Sequence, residues 1–193
     1  MRVSQTQRRD ALLDAAVALV EDGGADAVSM DAVAERAKVS RPLVYKHFAN
    51  REELLVAVYQ REALDLHDRL AADVAAATTV EGMFNVLIRG SLQAMADRGP
   101  VFAALRSAAG RSRELRRAQR DRDARTVRAF AARLVREIGV DRRRAVAAIA
   151  VLLNGIDPLL QQWRLRPSND TAALLEDSYM AIVRGTLQQL RPQ

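Results

Sequence analysis

The stretch SMDAVAERAKVSRPLVYKHF, residues 29–48, decides the fold. Apolar residues recur in it at helical spacing on both sides of Lys38-Val39, which predicts two short helices joined by a tight turn. A small residue such as Ala34 lets the two helices approach closely, while Val44 and Phe48 are predicted to be core. This spacing is typical of a helix-turn-helix, in which the second helix enters the DNA major groove.

Helix signals continue on both sides of this stretch. The first helix is predicted to stop at Gly23-Gly24, and Ser29 and Ser40 are placed to cap the two short helices. Residues 50–53 have the form of a capping box, which predicts a long helix that continues to about Ala77.

The middle of the chain predicts further helices. Thr78 and Glu81 form a second possible capping box before an apolar helix that is expected to end at Gly99-Pro100. Another helix then runs to Gly110, and Ser112 opens a long arginine-rich helix.

The last part of the chain predicts two apolar helices, 142–166 and 171–190. Asp141 is placed to cap the first of them, and Gly155 and Pro158 are expected to bend it. With no convincing period-two segment, the expected fold is all-α, with about nine helices and no sheet.

Composition excludes several classes of protein. The 193 residues are 49% hydrophobic and 28% charged, which is typical of a globular chain. With no cysteine, disulfides, thiol catalysis and zinc fingers are excluded, and the two histidines, His47 and His67, exclude a histidine-rich metal site. No apolar run approaches the roughly 20 residues of a membrane span, and no signal peptide is apparent, so we expect a cytoplasmic protein.

No motif points to catalysis, to a metal or to a cofactor. A Ser-His-Asp arrangement, a phosphate-binding loop and metal-ligand spacing are all missing from the sequence, so we do not expect an enzyme.

The segment over about residues 5–58 resembles the N-terminal domain of the tetracycline-repressor (TetR) family of transcriptional regulators. The rest of the chain matches that family only in length and helix count. One departure is Lys38, where the family usually places glycine; positive φ there would cost about 1 kcal/mol. The resemblance is carried by Gly24, Val33-Ala34, Ala37, Val39-Ser40, residues 43–48 and residues 51–54.

The resemblance implies a helix-turn-helix DNA-binding domain over residues 1–50 and a helical domain for dimerisation and effector binding over residues 51–193. It implies a homodimer, most simply a repressor, that binds a palindromic double-stranded DNA operator and is released by a small-molecule effector. The alternative is a helical protein-interaction module without specific DNA binding. The resemblance does not decide between repression and activation.

Residues of the helix-turn-helix are assigned DNA contacts from this resemblance and from their chemistry. Contacts to phosphates are predicted for Ser29, Ser40, Tyr45, His47 and Arg51. Contacts to bases are predicted for Arg41 and Lys46, most simply to guanine, and contacts to thymine methyls for Pro42 and Leu43. The alternative for Tyr45 and His47 is a packing or surface role.

Helices 142–166 and 171–190 are the predicted dimer interface. In the resembling family the last two helices dimerise, and here both are apolar on more than one face, which requires two partners. The alternative is that they are internal helices of a monomer.

An effector pocket is predicted from polar exceptions and aromatic residues. Asn154 and Asp157 interrupt an apolar helix, where they either orient a ligand or satisfy the broken helix backbone. Apolar lining would favour a hydrophobic or aromatic effector, with plain core as the alternative. The candidate lining residues are Phe84, Met95, Phe102, Phe130 and Trp163.

The basic excess lies in the middle of the chain. The net charge is +6, yet residues 101–144 alone hold 14 basic and 5 acidic side chains. We expect the run to be a solvated, ion-paired helix surface, with an anionic effector such as a CoA thioester, or an auxiliary electrostatic surface, as alternatives. The run comprises Arg111, Arg113, Arg116, Arg117, Arg120, Arg122, Arg125 and Arg128.

Overall fold

The computed structural model describes residues 4–109 and 113–191, and these ranges form nine α-helices without a strand. Side chains are described there except at 100, 103–104, 106–109, 113–116 and 118. The predicted all-α class is confirmed. The helices are α1 Gln5–Gly23, α2 Met30–Arg36, α3 Arg41–His47, α4 Arg51–Ala76, α5 Val80–Ala109, α6 Arg113–Ile138, α7 Arg142–Asn154, α8 Ile156–Leu165 and α9 Asn169–Leu190.

Of the two predicted N-caps of the short helices, one forms the expected side-chain hydrogen bond and the other does not. Ser29 Oγ accepts a hydrogen bond from the Ala32 amide at 3.0 Å, as an N-cap should. Ser40 stands at the N-cap position of α3, but its side chain makes no capping bond, so that prediction was wrong. The backbone supplies the contact instead, because the Leu43 amide donates to the Ser40 carbonyl.

The turn between α2 and α3 has the geometry that the sequence predicted at Lys38, with φ of 54°. The Lys38 amide donates to the Glu35 carbonyl, and the Val39 amide donates to the Ala34 carbonyl at 2.9 Å. These two bonds form a Schellman motif, which usually has glycine at the left-handed position. Lysine therefore occupies a backbone conformation that its Cβ disfavours.

One predicted helix start is corrected, and one predicted helix end agrees with the structure. Thr79, and not Thr78, caps α5, because its hydroxyl accepts a hydrogen bond from the Gly82 amide at 3.0 Å. The backbone leaves helical geometry at Arg98, directly before Gly99-Pro100, where φ is −134° and ψ is 16°, so α5 comprises two helical parts that meet at a kink. Proline removes one amide donor and crowds the preceding turn, which favours a break at this point. The predicted opening of α6 at Ser112 lies outside the described residues.

The predicted helix over 142–166 is divided into α7 and α8 at Gly155. The predicted bend is thus a break, and the final helix starts two residues earlier than expected, after an N-cap at Ser168. By length and composition alone, Arg142–Leu165 would suffice to cross a membrane, contrary to the sequence reading. The break at Gly155 and the packing of Leu152 and Trp163 into a protein core favour a folded helix pair instead.

The chain divides into two compact units. One contains Met1–Asp65 with Arg98–Arg117, and the other contains Leu66–Asp97 with Ala118–Gln193. The first unit therefore extends beyond the predicted boundary at residue 50 and includes a second, distant segment. The functional division of the chain at that boundary stays a prediction.

The first unit has a core that joins α1, α2, α3 and the start of α4. Its fully buried side chains include Leu12, Val33, Val44, Phe48 and Leu55. Burying each such side chain stabilises the fold by roughly 1.5–3 kcal/mol. The short helices depend on this burial, because seven residues are too few for a stable isolated helix.

A buried ion-pair network links three segments within the first unit. Glu62 of α4 is only 5% exposed and pairs with Arg98, the residue at the kink of α5. Arg98 also reaches Glu21 of α1 at 3.1 Å, and Arg61 joins Glu62 to Asp14. Removing one partner of such a network would leave an uncompensated buried charge.

The second unit packs α5 to α9 around an aromatic cluster. The rings of Phe84 and Phe130 meet edge-on with centroids 4.9 Å apart, and Tyr179 lies 6.2 Å from Phe84. The Tyr179 hydroxyl donates to the Leu152 carbonyl at 2.7 Å. Burial raises the pKa of Tyr179, so the hydroxyl stays protonated and continues to donate.

Replacing Lys38 with glycine should stabilise the protein by about 1 kcal/mol, because glycine adopts positive φ without a Cβ penalty. Lys38→Ala is the matched control: it removes the same charge but keeps the Cβ, so we expect little gain. The measurement is urea unfolding of the three proteins. Equal stabilisation by alanine and glycine would contradict a backbone origin.

Candidate nucleic-acid interface

The helix α3 has one buried side and one exposed side. Val44 is completely buried and Phe48, directly after the helix, is 1% exposed, so these residues fix α3 to the first unit. Pro42, Tyr45 and Lys46 lie exposed on the remaining surface. A short helix held in this way presents a rigid set of side chains to a partner.

Arg41, at the start of α3, already has two partners in the protein. Its Nε lies 2.8 Å from a carboxylate oxygen of Asp31 in α2, and its guanidinium lies 5.6 Å from the centre of the Tyr45 ring. Contact with the Tyr45 side chain, together with the Asp31 charge, raises the pKa of Arg41. The sequence gives no local signal for this pairing, because Asp31 and Arg41 lie on different helices on either side of the turn.

Arg51 binds backbone within the first unit. Its Nε donates to the Val28 carbonyl at 2.7 Å, and its terminal nitrogen donates to the Ala25 carbonyl at 2.6 Å. These bonds fasten the start of α4 to the segment between α1 and α2. The predicted phosphate contact of Arg51 stays a prediction, and it would use the donors that these two carbonyls leave.

The remaining residues with predicted DNA contacts differ in how exposed they are. Ser29 and Ser40 are exposed, while Leu43 and His47 are half-buried. Arg9 of α1 lies over the Phe48 ring at 5.1 Å, which places a cation beside the end of α3. The two serines, Arg41 and Tyr45 thus lie on α2 and α3 or at their starts, and DNA contact for each stays a prediction.

The predicted effector residues fall into two groups. Phe84, Met95, Phe130 and Trp163 lie together in the core of the second unit. Phe102 is half-buried and belongs to the part of α5 in the first unit, so the structure does not place it with the other four.

The polar pair predicted near the bend of helix 142–166 is exposed and not buried. The Asn154 amide nitrogen donates to the Ala150 carbonyl at 2.8 Å, which agrees with the backbone-satisfying alternative. Burial raises the pKa of Asp123 on α6, and the nearby Asp157 carboxylate adds to this effect.

Most of the arginine run is exposed to solvent where its side chains are described. Arg117, Arg120, Arg125 and Arg128 are exposed, and none forms an ion pair with another described side chain. Because the side chain of Glu114 within the run lies outside the described residues, ion pairing of the run stays a prediction. Arg122 is 7% exposed and donates to Gln119. The side chains of Arg111, Arg113 and Arg116 lie outside the described residues.

An apolar groove runs along α7, α8 and α9, which cover the two helices that the sequence predicts as a dimer interface. Val151 is 74% exposed and Ile182 is 61% exposed. The groove is lined by Val151, Leu152, Gly155, Leu159, Leu175, Ser178, Tyr179 and Ile182.

The N-terminal part of the chain is similar in sequence to known bacterial regulators. Residues 12–58 match the family model described as bacterial regulatory proteins, tetR family. The chain is 36% identical over 113 residues to the HTH-type transcriptional regulator BetI of Rhizobium meliloti, an alignment that covers 57% of this chain and 56% of that protein. It is 46% identical over 59 residues to the repressor KstR of Rhodococcus jostii, which covers 31% and 28%. The chain thus spans about half or less of these relatives.

Solved structures resemble the whole chain. A putative transcriptional regulator of Pseudomonas aeruginosa matches with a TM-score of 0.74 and 20% identity, over 98% of this chain and 97% of that one. FadR of Bacillus subtilis, in complex with stearoyl-CoA, matches with a TM-score of 0.66 and 18% identity, over 90% and 96%. At these identities the likeness shows a shared fold.

Replacing Arg51 with alanine should lower the free energy of unfolding by roughly 1.5–3 kcal/mol, because it removes two charged-donor bonds to the Val28 and Ala25 carbonyls. Lys46→Ala removes an equal charge from an exposed position and should change stability by less than about 0.5 kcal/mol. Urea unfolding measures both. Equal stabilities of the two variants would show that the Arg51 bonds contribute nothing.

Proposed function

This chain belongs to the TetR family of bacterial regulatory proteins, and from that premise we propose that it is a homodimeric, ligand-responsive transcription regulator. The observation that carries the proposal is the exposed polar side of α3, held rigidly by the burial of Val44 and Phe48. In this role α3 enters the major groove of a palindromic operator and represses transcription until an effector releases it. We place the protein in the cytoplasm.

Contacts to bases and contacts to phosphates have different roles on the operator. Arg41 and Lys46 lie at the exposed side of α3 and read base edges, while Tyr45 and the two helix-start serines position the protein on phosphates. Lys46→Ala would therefore lose base discrimination, whereas loss of a phosphate contact weakens all sequences alike.

The apolar groove on the last three helices supports a homodimer. Val151 and Ile182 line the groove and are each more than 60% exposed, as are Leu165 and Leu174 on the same helices. A second copy that packs its own groove there would bury Val151 and Ile182. Two-fold symmetry then presents two α3 helices about 34–36 Å apart, one turn of DNA.

The effector belongs to the second unit in this proposal. The aromatic cluster around Phe84 and Phe130 is apolar, which suits a hydrophobic ligand. FadR, which shares the fold, is described in complex with stearoyl-CoA. The helix α4, which begins at the Arg51 bonds and continues to Ala76, carries residues of both units and is the proposed coupling element. Coupling of this kind is typically about 1–3 kcal/mol.

Selection of random-sequence duplex DNA by the purified protein at near-physiological salt should enrich a palindrome with half-sites about one helical turn apart. Sequencing of the selected DNA is the readout, and the site then serves in a screen for effectors by release. A folded, dimeric protein that enriches no sequence would favour a helical interaction module and oppose the proposal.

The substitution Ile182→Glu should dissociate the dimer, because it buries a charge in the proposed interface, yet it should leave the monomer folded since Ile182 is 61% exposed. Leu64→Glu is the matched control: Leu64 is also exposed, at 41%, but lies on α4. Sedimentation and circular dichroism report mass and helicity. A dimer that survives Ile182→Glu would place the interface elsewhere.

A further inference from the structure

The ion pair between Asp31 and Arg41 is an unusual feature of a DNA-facing surface. Asp31 lies in the first turn of α2, two residues after Ser29, and its carboxylate would repel the phosphates that Ser29 is proposed to contact. Its Oδ1 atom lies 2.8 Å from Arg41 Nε, although both side chains are about 60% exposed. An exposed pair adds little to stability, and the favourable interaction of Asp31 with the dipole of α2 does not require contact with Arg41, so stability does not account for the pairing.

We infer that Asp31 is a positioning residue that sets base specificity through Arg41, an inference that rests on the DNA-binding function proposed above. Asp31 itself reads no base in this account. It holds the Arg41 guanidinium in one orientation and removes its preference for phosphate.

The geometry determines which donors of Arg41 stay available. An arginine contacts two acceptors either side-on, through Nε and one terminal nitrogen, or end-on, through both terminal nitrogens. The Asp31 carboxylate lies 2.8 Å from Nε and so obstructs the side-on edge of the guanidinium, and the Tyr45 ring 5.6 Å away limits rotation of the guanidinium plane. The end-on pair of donors matches the O6 and N7 acceptors of guanine, the commonest specific arginine contact.

The charge of the pair has a second consequence. An arginine without an acidic partner is attracted to any phosphate, and this attraction raises the affinity for every DNA sequence equally. Paired with Asp31, Arg41 contributes almost no net charge, so the phosphate backbone attracts it only weakly. Its contact is then favourable mainly where a base presents two aligned acceptors, which favours discrimination over affinity.

The test compares Asp31→Asn with the wild type on the selected operator and on a library of its single-base variants. Asp22→Asn is the matched control, because Asp22 forms an equivalent exposed pair with Arg36, also at 2.8 Å, in the same unit. The two variants remove the same charge and the same kind of ion pair. Thermal unfolding verifies that both are folded.

A single mismatched base pair typically lowers the affinity of a specific complex by roughly 5–150-fold. For Asp31→Asn we expect this discrimination, at the base pair read by Arg41, to fall by about 5–10-fold. Binding to unrelated DNA should tighten, and the logarithmic salt dependence should steepen by about one phosphate contact. Asp22→Asn should leave the preference at every base pair unchanged. A preference profile of Asp31→Asn that equals that of Asp22→Asn overturns the inference.

A double-substitution cycle assigns the effect to Arg41. In the Arg41→Ala background, Asp31→Asn should change no base preference, because the side chain it positions is gone. An unchanged effect of Asp31→Asn in that background would mean that the carboxylate acts directly, which contradicts the positioning role. If the wild type selects no sequence at all, the proposed function fails first; an enriched operator with an inert Asp31 defeats only this inference.

Discussion

Burial of one side of α3 is the constraint on which the rest of the structure depends. Seven residues do not form a stable helix alone, so α3 exists because Val44 and Phe48 are enclosed by the surrounding helices. The capped α1 supplies buried side chains to the same core, and the Arg51 bonds fix the start of α4 to the segment before α2. Because the core holds the buried side, the exposed side is not constrained by packing.

Several charged groups of the first unit are paired within it. Glu62 is buried and pairs with Arg61 and Arg98, Arg41 is paired with Asp31, and Arg51 is bound to carbonyls. Paired groups of this kind contribute little to a general attraction for phosphates. In the proposed DNA-binding role, specificity then depends on the placement of a few donors.

The second unit differs from the first in how its apolar and charged side chains are arranged. Its interior is aliphatic and aromatic, while its arginines on α6 stay solvated. Large apolar side chains remain exposed on the last helices. In the proposed function they form the surface for assembly with a second copy, while the paired polar groups of the first unit serve recognition.

The helical class, the helix-turn-helix and the positive φ at Lys38 could be predicted from the sequence alone, because local periodicity, caps and turn chemistry act over a few residues. Capping by the Ser40 side chain and by Thr78 was wrong, since the folded context overrides weak local signals. The partners of Arg41, Arg51 and Glu62 became known only from the folded structure. Those contacts join residues up to 36 positions apart, and no local pattern encodes which distant side chain the folded backbone brings within hydrogen-bonding distance.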